Sequence, residues 1–295
     1  MYRKGLQNQT MKNNFLFAAV MLEPDNCRRV LSCVLDMEIE QVIVSREKSI
    51  VYHPEYHGVR LDVFAKGANG TCFNVEMQIA KEEIKKRSRY YHDQMDMELL
   101  LSGRSYEELP DTYVIFICDY DPLGLGKYRY TLKNTIYEDS TYKYEDGRHT
   151  IFLSTQGRDE SEVPKQLVNF LHFIGAPLQD SQKDYDDELV GQLQKTVAHI
   201  KKDREMGARY MLFEELLQKE RSAGKAEGKA EGKAEGKAEG KAESILLLLS
   251  KLGEVPEELR AKICEITEIG KLDKLLVVAA ESDGLEAFTN AMQNL

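Results

Sequence analysis

The strongest constraint on this 295-residue chain lies between Val59 and Ala80, where apolar residues recur at every second position. VRLDVFA (59–65) and TCFNVEMQIA (71–80) flank the turn residues Gly67-Ala68-Asn69-Gly70, which reads as a β-hairpin. Residues two apart on a strand share a face. Phe73, Val75, Met77 and Ile79 are therefore expected to face a core with Leu61, Val63 and Ala65. Asn74, Glu76 and Gln78 are expected on the opposite face with Arg60, Asp62 and Phe64. A three-residue loop, Ala68-Asn69-Gly70, makes Gly67 oppose Thr71 and Asp62 oppose Glu76. Gly70 supplies the left-handed third position that such a loop needs. With this sequence fixed, a loop that took up one residue more or fewer would shift the register and put the two acids on opposite faces.

Directly opposed strand residues have Cβ atoms about 4.5–5.5 Å apart. Two carboxylates so placed repel unless a cation sits between them. A hard divalent ion that prefers oxygen ligands fits, Mg²⁺ first, with Mn²⁺ or Ca²⁺ as other occupants. Asp62 and Glu76 are the expected ligands, with the main-chain carbonyl of Met77 as a third. Gln78 is placed to hold an attacking water or a scissile phosphate, without the charge a lysine would bring. Asp62, Glu76 and Gln78 are thus the candidate catalytic residues. A solvated antiparallel hairpin would show the same alternation, so spacing alone leaves both readings open.

The surrounding chain reads as mixed α/β. Residues 13–37 carry helical spacing, with Pro24 starting a new turn. An amphipathic helix is expected over Lys81–Leu101, closed by Ser102-Gly103. TYVIFIC (112–118) reads as a strand buried on both faces. Two further strands are expected over Tyr128–Tyr144 and Arg148–Ser154, turned by Asp146-Gly147, with helices over Val163–Ile174 and Tyr185–Glu220. The predicted architecture is a mixed central sheet flanked by helices with a helical C-terminal tail. It divides into a core at 1–180, a helical extension at 181–223, a tetrapeptide repeat at 224–243 and a small helical module at 244–295.

The repeat is GKAE five times over. Its i,i+4 pairs are all like-charged, and no opposite pair falls at i,i+3 or i,i+4. Each Gly costs a helix roughly 1 kcal/mol relative to Ala. The segment reads as a solvated spacer or, with its Gly/Ala stripe, as an oligomerising helix. The tail begins with apolar Ser244–Leu252, then Pro256-Glu257-Glu258 opens a helix and Lys271–Glu281 forms another.

Net charge is -10, and the excess acid lies in the C-terminal two-thirds, while basic residues cluster between Lys81 and Arg89. Lys85, Lys86, Arg87 and Arg89 are the candidate DNA-binding residues, positioned for phosphate contacts. Tyr90 or Tyr91 is expected to pack in the core. The five cysteines form no CxxC pair and the start of the sequence lacks a long apolar stretch, so a reduced, cytoplasmic protein without a membrane span is expected. His53 and His57 are expected in a loop, because Pro54 breaks a helix that would align them. Asp119, Asp121 and the Gly124/Gly126 turn read as strand-end loop chemistry, and one GLG is too weak a pattern for phosphate binding.

With NNFLFAAVMLEPDNC, GVRLDVFAKGANGTCFNVEMQ, RSRYYHDQMD, YVIFICDYDPLG, RYTLKNTIYE, IFLSTQG and the GKAE tail in this order, the chain resembles the Rpn family of bacterial recombination-promoting nucleases, also described as transposases, in the PD-(D/E)XK superfamily. The resemblance spans roughly residues 12–243. It implies a restriction-endonuclease-like core and a Mg²⁺-dependent DNA endonuclease that promotes recombination. Carried over residue by residue, the superfamily's acids fall on Asp62 and Glu76, and its lysine position on Gln78, where members of the family commonly carry Gln. The family often has an acid before the first-helix Phe, where this chain has Asn13-Asn14. That change removes a negative charge from the expected metal site, and Glu23 or Asp25 are the nearby acids that can compensate. A second reading is a catalytically weak DNA-binding or assembly protein that oligomerises through its repeat tail. A small-molecule enzyme has no cofactor motif to support it.

Overall fold

The computed structural model describes residues 5–50 and 59–293. His53 and His57 lie outside the described residues. The chain divides into two compact units, Met1–Phe213 and Glu214–Leu295.

The first unit is built on a six-stranded mixed sheet in the order β1-β2-β3-β4-β6-β5. The helices before the sheet are α1 (Asn14–Met21) and α2 (Pro24–Leu35), divided where expected, with Pro24 at the first helical turn of α2. β1 (Val42–Ile50), β2 (Val59–Gly67) and β3 (Cys72–Gln78) form an antiparallel meander. α3 (Ile84–Leu99) then crosses to β4 (Thr112–Cys118), parallel to β3. β6 (Arg148–Ser154) is parallel to β4, and the short β5 (Arg129–Leu132) closes the far edge antiparallel to β6. The strand expected over Tyr128–Tyr144 is thus only four residues long. Residues 133–147 run on as a connection instead, and Asp146-Gly147 is its last turn, not the apex of a tight hairpin. The polar stretch around Glu138-Asp139-Ser140 offers no buried face to hold a longer strand.

Each face of the sheet is covered. On one, Val63, Ala65, Phe73, Val75, Met77, Ile115, Ile117, Ile151 and Leu153 meet α1, α2, α4 (Lys165–Gly175) and α5 (Glu188–Lys202). On the other, Phe64, Cys72, Val114, Phe116, Cys118 and Phe152 meet Ile84, Tyr91 and Met95 of α3. β4 therefore contributes side chains to both cores, as its unbroken apolar run requires. The expected helical extension joins this first core through Leu189, Val190, Leu193, Ile200 and Tyr210.

α6 (Arg204–Leu249) is separated from α5 by Asp203, whose carboxylate accepts from the Glu205 and Met206 N–H groups. It includes the whole repeat as helix. In the second unit, Ala238 and Ala242, from the last two repeat copies, pack with Ile245 and Leu249 against α7 (Glu257–Cys264), α8 (Ile269–Glu281) and α9 (Leu285–Gln293). Pro256 is the N-cap of α7, one position before the helix begins. No helix among the described residues is long and apolar enough to cross a membrane.

Candidate active site

The hairpin has the expected register. Val63 pairs with Val75 and Ala65 with Phe73. The Gly67 N–H donates to the Thr71 carbonyl at 2.8 Å, and Gly70 takes φ +90°. Asp62 consequently falls beside Glu76. At this point β2 and β3 cease to pair through their backbones, and the two carboxylates take over. The Asp62 N–H donates to Glu76 Oε1 at 3.1 Å, while the Met77 N–H donates to Asp62 Oδ2 at 3.3 Å. Each acid thus satisfies the partner strand's backbone where the ladder opens.

Two expected positions move. Leu61 is fully buried but joins the core on the α3 side, so alternation along β2 breaks next to Asp62. Ile79 is half exposed because β3 ends at Gln78, and it joins no core.

The polar face is not solvated. Asn74, Glu76 and Gln78 are all buried beneath α3. Desolvation and the neighbouring Asp62 charge push the Glu76 carboxyl well above the usual carboxylate range. The opposing influences are the hydrogen bond from the Asp62 N–H and then the positive charge of Arg87 on α3. Its guanidinium donates to Glu76 Oε2 at 3.0 Å, Gln78 Oε1 at 2.9 Å, Glu82 Oε2 at 3.0 Å and the Tyr91 hydroxyl at 2.7 Å. It also sits 5.1 and 5.3 Å from the ring centroids of Tyr91 and Phe116. The sequence pattern groups Arg87 with Lys85, Lys86 and Arg89. Those three are exposed, whereas Arg87 turns inward to the acids. The signal for this was the helical spacing of Arg87 and Tyr91, i and i+4, with Tyr91 committed to the core.

Gln78 is likewise engaged. While Oε1 accepts from Arg87, Nε2 donates to the Ala80 carbonyl at 2.6 Å. Asn74 was not singled out from sequence as a ligand. It is fully buried on the same face, with its side chain beside the Glu76 carboxylate. Asn13 caps α1, accepting from the Leu16 N–H at 3.1 Å, so its amide oxygen serves the helix. Asp25 is held by Arg28, Arg29 and Gln192. Among the described residues, no three His, Cys, Asp or Glu side chains cluster as a metal site. Two carboxylates are what the side chains of this site provide, with Asn74 and main-chain oxygens as the neutral donors nearby.

A mixed sheet sandwiched by helices, with an Asp and a Glu-x-Gln brought together where two central strands part, defines the class: an α/β nuclease core of the PD-(D/E)XK type. The family described as PD-(D/E)XK nuclease family transposase matches residues 23–221, and the chain belongs to it. No curated protein and no solved structure gives a significant match. The family match includes the hairpin, α3 and the strands after it, and stops before the repeat.

Proposed function

We propose that this chain is a Mg²⁺-dependent DNA endonuclease whose strand breaks promote recombination. The observation that carries the reading is the half-buried crossover of Asp62 and Glu76 at the opening of the β2–β3 ladder. Glu76 is buried with Asp62 half-buried beside it, and two such adjacent carboxylates either neutralise or gain compensating positive charge. Arg87 supplies one such charge, and a divalent cation held by Asp62, Glu76 and the Met77 carbonyl would supply the remainder. The donor set fits a hard ion, because every candidate atom is oxygen. When bound, the ion would polarise the phosphoryl group and lower the pKa of a water. The protein's own groups set the stage. Arg87 holds Glu76 in place, and Gln78 holds Arg87. The α3 cover excludes bulk water from the inner face, which strengthens each of these interactions. Lys85, Lys86 and Arg89 would meet phosphates along the exposed side of α3.

Supercoiled plasmid incubated with Mg²⁺, with EDTA, and with the Asp62→Ala variant tests this. Nicking that requires Mg²⁺ and is lost in the variant is expected. Folded wild-type protein that binds DNA but cuts it with neither Mg²⁺ nor Mn²⁺ would overturn the catalytic reading in favour of a DNA-binding or assembly role.

Homo-oligomerisation through the C-terminal helical region is a second part of the proposal. Residues 221–237 of α6, where described, are exposed throughout. A helix with this Gly content and no stabilising charge pairs is marginal alone. Leu212 and Leu216, at i and i+4 on the same helix, are exposed as well. A second copy would cover both. Monomeric mass in solution for the full chain and for a repeat-deleted chain would remove this part.

A further inference from the structure

The loops at the carboxyl ends of the three parallel strands are tied together. The Asp119 N–H donates to the Gln78 carbonyl at 2.9 Å, and the Thr155 N–H to the Cys118 carbonyl at 3.0 Å. The Arg158 N–H donates to the Gly126 carbonyl at 2.8 Å, and Gln156 Nε2 to the Asp119 carbonyl at 2.9 Å. Open α/β sheets bind their ligands at this end of their strands. Between these loops lies a recess of about 420 Å³ lined by Lys81, Gln156, Arg158, Tyr120 and the Asp121–Gly126 turn.

Its charge balance favours an anion. Asp121 is the only acid lining the recess, and its carboxylate is already engaged. It accepts from the N–H groups of Leu123, Gly124 and Gly126 at 3.2, 2.9 and 2.7 Å, and from the Tyr130 hydroxyl at 2.6 Å. Lys81 and Arg158 are exposed and form no ion pair among the described residues. The cations nearer the sheet are neutralised, Lys12 by Asp119, Lys127 by Asp159 and Glu162, and Arg148 by Asp93 and Asp96, whereas Lys85, Lys86 and Arg89 of α3 share the exposed, unpaired state of Lys81 and Arg158 among the described residues. The glycine N–H groups of the turn are spent on Asp121, so the donors for a ligand are the ammonium, the guanidinium and Gln156. Lys81 also stands three residues beyond Gln78, which adjoins the carboxylate pair in sequence and through Arg87.

We propose that this recess is a phosphate subsite, in which Lys81 and Arg158 take a backbone phosphate of the nucleic acid beside the one at the carboxylate pair. The assignment to nucleic acid rests on the nuclease reading; the anion site itself rests on the charge balance. The test is binding of a fluorescein-labelled duplex to the full chain in EDTA, where no cut is expected, over a range of salt. For Lys81→Ala/Arg158→Ala, affinity is expected to fall about tenfold. The slope of log affinity against log salt is expected to become shallower by roughly 0.9 for each phosphate that the variant leaves unneutralised. Lys81→Arg/Arg158→Lys is expected to retain both. Wild-type affinity and slope in the alanine variant would overturn the proposal. If the wild-type chain binds no duplex in EDTA or with Ca²⁺ in its place, the nuclease reading fails, and inorganic phosphate becomes the probe. Amide shifts in the Lys81, Gln156 and Arg158 backbone that vanish in the alanine variant would then keep the anion site and assign it to a free phosphate compound. Absence of such shifts would overturn it.

Discussion

Glu76 shows most directly how a single residue can be a liability in the fold and an asset in the site. Its carboxyl is buried beside Asp62, and Arg87 offsets only part of that charge. A carboxyl whose pKa is raised on folding costs stability once pH exceeds its unfolded value of 4.5, and for Glu76 that cost outweighs the ion pair with Arg87. Glu76→Gln is therefore expected to abolish cleavage while raising metal-free stability at pH 8 by roughly 1–3 kcal/mol, read by thermal melting. Mg²⁺ should raise the melting temperature of the wild type and leave that of the variant unchanged. Equal responses would place the ion elsewhere. His92 carries a second residue-scale prediction. It is fully buried, its ring nitrogens 2.9 and 3.0 Å from the hydroxyls of Thr112 and Thr150, and burial lowers its pKa from 6.5 to about 4. The unfolded chain thus binds a proton that the folded chain does not. Stability from this group is fully present above pH 6.5 and is lost as pH falls toward 4. The stability gap between the wild type and His92→Gln should narrow by up to about 3 kcal/mol over that window, measured by urea unfolding at each pH. A gap that is flat with pH would refute the buried neutral histidine.

At the scale of elements, the hairpin is the part of the site that the sequence made legible. Alternation and Gly70 together determine a three-residue loop, and that loop puts Asp62 beside Glu76 without any tertiary information. Features set by packing against other elements were less legible. The local pattern carries Ile79 into the strand, but the chain leaves the sheet at Gln78, where Asp119 takes the Gln78 carbonyl. Leu61 breaks alternation because the ladder opens beside it. Arg87 reads as one of a basic cluster, and only the position of α3 over the sheet turns it inward. The length of β5 also depended on whether residues 133–147 had a face to bury. Register can be tested by insertion. One Ala added after Asn69 extends an exposed loop and is expected to cost about 1 kcal/mol or less and to preserve cleavage. One Ala added after Val63 moves Leu61 and Asp62 out of phase with β3. It is expected to abolish cleavage and cooperative unfolding. Equal tolerance of the two insertions would mean that register does not define the site.

The whole molecule consists of two compact units, Met1–Phe213 and Glu214–Leu295. A repeat with five glycines and no i,i+4 ion pairs reads as a spacer or an oligomerising helix, and its last two copies pack into the second unit. Ala238 and Ala242 are buried with Ile263, Leu272, Leu275 and Phe288, and Lys241 is paired with Asp273. The small side chain is what allows α6 to approach α7 to α9. The four identical residues of each copy give this an unusual consequence, because deleting any one copy leaves the same sequence. The two copies next to Ser244 always remain to supply the module's alanines, however the repeat is shortened, until fewer than two are left. Calorimetry of the full chain is expected to show a C-terminal transition whose midpoint is unchanged as the repeat is cut from five copies to two, and which falls when it is cut to one. Ala242→Glu, which puts a charge into that core, should remove the same transition and leave the melting of the first unit in place. A midpoint that drifts with every copy removed would mean that the module draws its stability from the length of the helix rather than from these two alanines.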